Sequence, residues 1–355
     1  MSERTQPTRP VAGPNAVPVL RQYLTDRPGK RYVAIVDDNT NEHCISPLIR
    51  EVPELAGIDI IEVVHGEDSK DLEICQSIWE AMVQLGCDRN TLLLNVGGGM
   101  VCDLGGFVAS CFKRGIEFLH IPTTLLAMVD ASLGGKTGVN LGHLKNQVGV
   151  FAQPVGIYTD VRFLETLPER ELRAGLAEMA KHGLIRDRAH WEEVAAVDPA
   201  EIGQLDEAIV RSIAIKQAVV EEDPYEQGLR KILNFGHTVG HAVEALFMTA
   251  EKPLLHGEAV AIGMVAEAWL SHKVCGLPLE DAEAIAHWVG RTFDPVEIPA
   301  DDLEYLQQLI THDKKNHQGT VLYVLLESIG NAVYNKEVPD EMLADALNFY
   351  HLAAH

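Results

Sequence analysis

His237 and His241, in the run His-Thr-Val-Gly-His, stand one helical turn apart, the spacing at which a helix presents two imidazoles to one metal ion. A third histidine follows in His256-Gly-Glu, and an earlier segment carries Glu178 among apolar neighbours. A carboxylate and two imidazoles drawn from three separate segments make a three-donor set that leaves a coordination position open for a substrate oxygen, as catalytic zinc sites do. The motif is not His-Glu-x-x-His, so the glutamate base of a metalloprotease is missing. Spacing alone also fits histidines that merely cap or pack.

A second group of residues could hold a dinucleotide. Gly97-Gly98-Gly99 follows an apolar run and precedes Met100-Val-Cys-Asp103, which begins like a helix. Glycines at such a turn let backbone N–H groups approach a pyrophosphate at the positive end of a helix, although a tight structural turn reads the same way. The spacing is neither G-x-G-x-x-G nor a P-loop. Two other strand-like runs end in Asp37-Asp38-Asn39 and in Gly66-Glu67-Asp68-Ser69-Lys70. In a parallel sheet, ligands bind outside the carboxyl ends of the strands, so three polar strand ends point to one cleft. Carboxylates there suit ribose hydroxyls, and Lys70 suits a phosphate.

A third group lies in a Gly-rich, mostly apolar run punctuated by Thr123, Thr124, Asp130, Lys136, Lys145 and Asn146, with Arg114 just ahead of it. Charged side chains in such a run sit beside a low-dielectric core, where an anionic ligand would repay them; a solvated loop is the plainer alternative.

These residues need elements to position them. Short β-rich runs at 32–36, 58–64, 91–96, 117–121 and 156–159 alternate with longer amphipathic stretches such as 71–85, which predicts a parallel α/β sheet. Beyond Pro168 the pattern turns helical, at 169–184, 205–220, 237–246, 257–273, 280–292 and 340–351, with one strand-like insert at 320–326. The expected architecture is an α/β N-terminal domain with a Rossmann-like parallel sheet, residues 1–162, and a mainly α-helical metal-binding domain, 163–355. Residues before about Pro18 are expected to be disordered.

Composition narrows the partners. Asp and Glu number 52 against 29 Lys and Arg, a formal charge of -23 that repels polyanions, so nucleic acid is not expected. The few cations clustered in motifs stand out against that background as holders of anionic ligands. Six cysteines without a C-x-x-C pair, no apolar leader at Met1–Pro10 and no run of about 18 apolar residues predict a cytoplasmic protein without a membrane span.

In order and spacing these motifs resemble the sugar-phosphate cyclase family, and within it the 3-dehydroquinate synthases, from about Val33 to Gly319. The resemblance is carried by Gly97 through Pro122-Thr-Thr, Asp130, Gly135-Lys136-Thr-Gly and Lys145-Asn146. It continues in Leu167-Pro-Glu-Arg-Glu-Leu-Arg-Ala-Gly-Leu-Ala-Glu178-Met-Ala-Lys181, in Arg230-Lys-Ile-Leu-Asn234-Phe-Gly-His237-Thr-Val-Gly-His241, and in His256-Gly-Glu. The resemblance implies that Glu178, His237 and His256 hold a divalent metal, zinc with cobalt as the alternative. It implies that NAD is lined by Asp37, Asn39, Glu67, Lys70, Gly98, Gly99, Met100, Asp103, Thr123, Thr124, Lys136, Lys145, Phe163 and Thr166. Around the substrate it implies Asp130, Lys136, Asn146, Lys181, Lys216, Arg230, Asn234, His241 and one of Lys314 or Lys315, with Arg114 reaching into the second subunit of a homodimer.

The implied substrate, 3-deoxy-D-arabino-heptulosonate 7-phosphate, carries a carboxylate and a phosphate, which accounts for the cations. The implied reaction is transient oxidation by NAD, β-elimination of phosphate, return of the hydride and an internal aldol closure, with the metal as Lewis acid and template. A metal- and NAD-dependent polyol dehydrogenase would share the NAD loop but give Lys136, Lys145, Lys181 and Arg230 nothing to neutralise. A cyclase for another sugar phosphate, such as a 2-deoxy-scyllo-inosose or valiolone-type synthase, would leave Arg230 and Lys216 without a carboxylate. A non-catalytic NAD-binding protein would lack metal donors, and all three are present.

Overall fold

A computed structural model describes residues 8–142, 144–198, 205–299, 302–313 and 321–354. They fall into two compact units, Met1–Pro168 with Lys216–Tyr225, and Glu169–Ile215 with Glu226–His355. The change of sequence texture puts a division near Arg162; the first unit runs on through the turn Val161–Thr166 and takes in the end of the later helix Asp206–Glu222.

The strands of the first unit are β1 Val11–Ala12, β2 Tyr32–Asp37, β3 Asp59–Val63, β4 Leu92–Gly97, β5 Glu117–Pro122, β6 Lys136–Leu141, β7 Leu144–Phe151 and β8 Gly156–Thr159. Six of them form one parallel sheet in the order β1-β8-β5-β4-β2-β3. The five expected strands all lie in it. The central strands are mostly apolar without alternation because both faces are covered, and the polar pair within them, Asn95 of β4 and His120 of β5, is buried with Asn95 Nδ2 3.2 Å from His120 Nδ1. Val33 and Ile35 of β2 enter one core with Cys75, Ile78 and Met82 of the helix Leu72–Gln84. Ala34 and Val36 enter the other with Leu20, Leu24 and Leu48.

The chain runs from β2 outward to β3 and then returns to β4 on the other side of β2. This reversal is a topological switch point, where α/β sheets leave a crevice at the carboxyl ends of the strands. Asp37 and Gly97 end the two strands that flank it.

Two features depart from expectation. The segment before Pro18 is ordered from Thr8 onward: Val11 and Ala12 pair with Tyr158 and Thr159, and the helix Ala16–Thr25 buries Ala16, Leu20 and Leu24 at a spacing of four. Residues 1–7 lie outside the described residues. The central lysine-bearing segment contains a π-helical turn, Ala127–Ala131, and then an antiparallel hairpin, β6 with β7. Gly138 and Gly149 let its strands approach: a Cβ on Gly149 would lie 2.3 Å from Thr137 O.

The second unit is largely helical, with one antiparallel hairpin, β9 Leu322–Ser328 and β10 Asn331–Glu337. At its centre the helix His256–Cys275 has an unbroken buried run from Ala259 to Ala268, so it has no wet face. The helix Glu169–Arg186 is likewise buried from Ala174 to Ile185, and that stretch includes Glu178, Lys181 and His182. Buried charges of this kind demand partners. No helix among the described residues is long and apolar enough to cross a membrane.

Candidate metal centre and cofactor loop

In the second unit, close approach between helices gathers the donors. The helix His237–Leu246 starts after Gly236, which is left-handed with φ of 80°. A Cβ on Gly263 of the central helix would lie 1.9 Å from Gly236 O and 2.7 Å from Gly240 N, so backbone meets backbone there. A Cβ on Gly257 would lie 2.0 Å from Ala174 O, which brings the start of the central helix against the helix that carries Glu178. Arg170 strengthens that junction, donating from Nε to Glu258 Oε1 at 2.7 Å and from Nη2 to Pro253 O at 2.7 Å.

The result is a cluster of His237, His241 and His256 whose nearest ring nitrogens all lie within 4.8 Å of one another. Glu178 is fully buried, with Oε1 at 3.6 Å from His237 Nε2 and 3.8 Å from His256 Nε2. Neither of its carboxylate oxygens takes part in a hydrogen bond, and Lys181 forms an ion pair with it. Backbone and carboxylate acceptors turn the rings: His237 Nδ1 faces Phe235 O at 3.1 Å, and His256 Nδ1 faces Glu244 Oε2 at 3.2 Å. The Nε2 atoms are thus left toward Glu178. Burial, reinforced by Lys181, His241 and His256, pushes the His237 ring well below its ordinary value, so it is neutral. The neutral ring of His237, with His241 and His256 beside it and the buried Glu178 carboxylate facing them, is a donor set fitted to a divalent cation.

Glu267, on the central helix and fully buried, accepts from Gly236 N at 2.7 Å and Val239 N at 3.1 Å. It satisfies donors at the positive end of the helix that carries His237 and His241. Arg230, 2% exposed, and Asn234 lie on the 3-10 helix Leu229–Asn234, and Asn234 Nδ2 donates to Glu226 Oε1 at 2.7 Å. Lys314 and Lys315 lie outside the described residues.

In the first unit, Gly98 precedes the helix Gly99–Cys111 at the carboxyl end of β4. A Cβ on Gly98 would lie 3.0 Å from Thr124 Cγ2, and one on Gly99 would lie 3.1 Å from Ala131 Cβ, so a side chain at either position fits only if its neighbour moves. Thr123 N donates to Gly97 O at 3.0 Å, which joins the ends of β4 and β5. Lys70, 2% exposed, donates to Asp103 Oδ2 at 2.7 Å and lies 3.6 Å from Glu67 Oε1. Burial opposes its charge, but Asp103 and Glu67 prevail and hold the ammonium above its ordinary range. Lys216, 6% exposed, donates to both Asp130 Oδ1 and Asp130 O at 2.7 Å.

The remaining expected residues are placed less uniformly. Asp37 Oδ1 accepts from Thr40 N at 2.7 Å and so caps a turn, and Asn39 is exposed beside it. Lys136 and Asn146 are exposed, Lys145 is half-buried, and Met100 is half-buried in the first turn of its helix. Phe163 and Thr166 share the turn Val161–Thr166, which Asp160 caps through Arg162 N at 3.1 Å. Arg114 precedes β5, at the opposite end of that strand from Thr123 and Thr124. Sequence reasoning did not single out Glu244, Glu267 or Asn140. Glu244 had a signal, since it falls seven residues after His237 on one helix face.

Two family models match consecutive stretches of the chain: 3-dehydroquinate synthase N-terminal over residues 60–174, and 3-dehydroquinate synthase C-terminal over 175–316. A 3-dehydroquinate synthase of Parabacteroides distasonis is 40% identical over 333 residues, spanning 93% of this chain and 94% of the relative. Among solved structures, a 2-epi-5-epi-valiolone synthase of Streptomyces hygroscopicus with NAD+ and Zn2+ bound superposes with a TM-score of 0.87 at 26% identity, covering 99% of this chain and 98% of that one. A 2-deoxy-scyllo-inosose synthase complexed with carbaglucose-6-phosphate, NAD+ and Co2+ has a TM-score of 0.82 at 26% identity, covering 97% of this chain and 99% of that one.

Proposed function

Since the chain belongs to the 3-dehydroquinate synthase family, we propose how its own residues carry that activity, the conversion of 3-deoxy-D-arabino-heptulosonate 7-phosphate to 3-dehydroquinate and phosphate in the shikimate pathway. The observation that carries the reading is the buried Glu178 facing His237 and His256, all three within the stretch that the C-terminal family model matches. Glu178, His237 and His256 hold a divalent metal, zinc or cobalt, with His241 close enough to serve as a further donor or to meet the substrate. When bound, NAD accepts and returns a hydride, and the metal acts as a Lewis acid on a substrate hydroxyl.

The chain's own side chains bind and orient. Gly98, Gly99, Met100, Thr123 and Thr124 line the dinucleotide, with backbone N–H groups at a helix N-terminus suited to its phosphates. Glu67, Lys70 and Asp103 form a preassembled charged group beside it, and Asp37, Asn39, Lys145, Phe163 and Thr166 complete the cofactor surface. On the substrate, Lys136, Lys216 and Arg230 neutralise phosphate and carboxylate, while Asn146, Asn234, Lys181 and His241 fix its hydroxyls. Asp130 holds Lys216 in place through two hydrogen bonds, which fix the direction of its ammonium.

The enzyme is further assigned as a cytoplasmic homodimer. Six free cysteines support a reducing compartment. In support of the dimer, β7 pairs only with β6 among the described residues, and Leu144, Val150 and Phe151 on it are exposed. Arg114, in left-handed backbone with φ of 70°, is the residue expected to reach a second copy.

The test is phosphate release from the heptulosonate with catalytic NAD and zinc, beside chelator-treated and glucose 6-phosphate controls. Release from the heptulosonate alone, abolished by chelator, is expected. Release from glucose 6-phosphate instead would move the chain to the inosose-forming cyclases, and net NADH accumulation with a polyol would move it to the dehydrogenases.

A further inference from the structure

Asn140, near the end of β6, meets two residues that serve different ligands. Its backbone N–H donates to Lys70 O at 2.8 Å. Its Nδ2 donates to Glu67 Oε2 at 3.2 Å and to Glu67 O at 3.4 Å, and its Oδ1 accepts from Asn146 N at 2.9 Å. The orientation of the amide is forced: a carboxylate and a carbonyl can only accept, and a backbone N–H can only donate. Asn146, on β7, sits at φ of 55°, a left-handed backbone that asparagine tolerates but does not prefer, so the bond from its N–H has something to hold. The loop that carries Glu67 begins at Gly66, whose φ of 99° only glycine adopts with ease.

We infer that Asn140 is a positioning residue that couples the nucleotide-holding loop Glu67–Lys70 to the substrate-holding Asn146. The inference rests on the assignment of Glu67 to NAD and of Asn146 to substrate. Asn140 acts through its bonds to Glu67, Lys70 and Asn146. With NAD engaging Glu67, the amide is pinned from one side and the left-handed Asn146 is stabilised from the other, so each ligand binds a site the other has already ordered. By linkage the coupling is reciprocal.

Two variants separate the arms, measured on the full chain with zinc bound. Asn140→Ala removes both side-chain bonds, and Asn140→Asp keeps an oxygen for Asn146 N–H while setting a carboxylate against Glu67. Titration calorimetry gives the Kd for NAD, and phosphate release gives KM and kcat for the heptulosonate. Asn140→Ala is expected to raise both Kd and KM about tenfold, the ordinary effect of losing one good hydrogen bond to each site. Asn140→Asp is expected to raise the Kd for NAD at least as much while changing KM by less than about threefold, since the second arm survives. This split is what a merely structural role would not produce. Equal shifts of Kd and KM in both variants, or no shift in either, would overturn the inference. The aspartate variant is nearly isosteric and keeps the test open if the alanine variant does not fold. A wild-type protein that binds NAD but releases no phosphate would remove the proposed activity and the substrate arm together; the loss of NAD affinity in Asn140→Asp would still be required.

Discussion

Glu244 Oε2 lies 3.2 Å from Nδ1 of His256, on the side of the ring away from Glu178. A carboxylate behind an imidazole fixes the tautomer and raises the basicity of the far nitrogen, and removing such a partner ordinarily weakens metal binding by about 10–100-fold. Glu244→Ala is therefore expected to retain its fold and to lose zinc to a competing chelator dye at correspondingly lower chelator concentration. Unchanged competition would show that His256 needs no orienting partner.

The backbone contact at Gly263 yields a second expectation. A Cβ there would lie 1.9 Å from Gly236 O, with no flexible side chain to give way. Gly263→Ala must push apart the two helices that carry His237, His241 and His256, at a cost of about 1–3 kcal/mol of stability. Denaturant melts with and without zinc check this: the variant should be less stable in both, and the stabilisation that zinc confers should shrink.

Asp103 neutralises a lysine that is 2% exposed, and Glu67 is its only other ion-pair partner among the described residues, at 3.6 Å. Breaking a buried pair from one side typically costs 3–5 kcal/mol, and with Glu67 remaining about 3 kcal/mol is expected for Asp103→Asn. The same variant should weaken NAD binding. A variant as stable as wild type would mean that Lys70 finds another partner or swings out to water.

The pH behaviour of His65 and Asp38 can be read directly. His65 Nδ1 lies 2.9 Å from Asp38 Oδ2, and the hydrogen bond and charge of Asp38 hold the ring above its ordinary 6.5. The bond from His65 lowers the Asp38 carboxyl in turn. A histidine with a raised folded value contributes stability that is fully present below the unfolded value and disappears as pH rises through the folded one. The aspartate's contribution is lost at the other end, as pH falls through its lowered value. The pair therefore helps only in the acid-to-neutral window between them, and salt diminishes it because both groups are exposed. In an NMR titration the His65 ring should have a midpoint above 6.5, returning toward 6.5 in Asp38→Asn.

The sheet was legible because β2, β4 and β5 are covered on both faces and so read as largely apolar runs, broken only by Asn95 in β4 and by Glu117 and His120 in β5. The candidate metal cluster was legible in part because His237 and His241 are one turn apart on one helix. Less visible were elements whose signal depends on contacts distant in sequence. The β6–β7 hairpin is interrupted by Gly138 and Gly149, which look like loop glycines until their strands are seen to pass backbone to backbone. The strand Val11–Ala12 is too short to show alternation and exists because Tyr158 and Thr159 offer it an edge.

By itself, the sequence determined the family, the alternating and then helical architecture, and the identity of the chemical groups, because each of these depends on residue type at short spacing. Tertiary structure decided which groups meet. Glu178 faces His237 and His256 only because Gly257 and Gly263 allow helices to touch. Glu244 and Glu267 turn from ordinary helix glutamates into a ring-orienting partner and a helix cap only at the distances that packing sets. Burial makes those meetings matter, since a charge in a dry interior must be paired or neutralised, and no local spacing reveals which partner will be near.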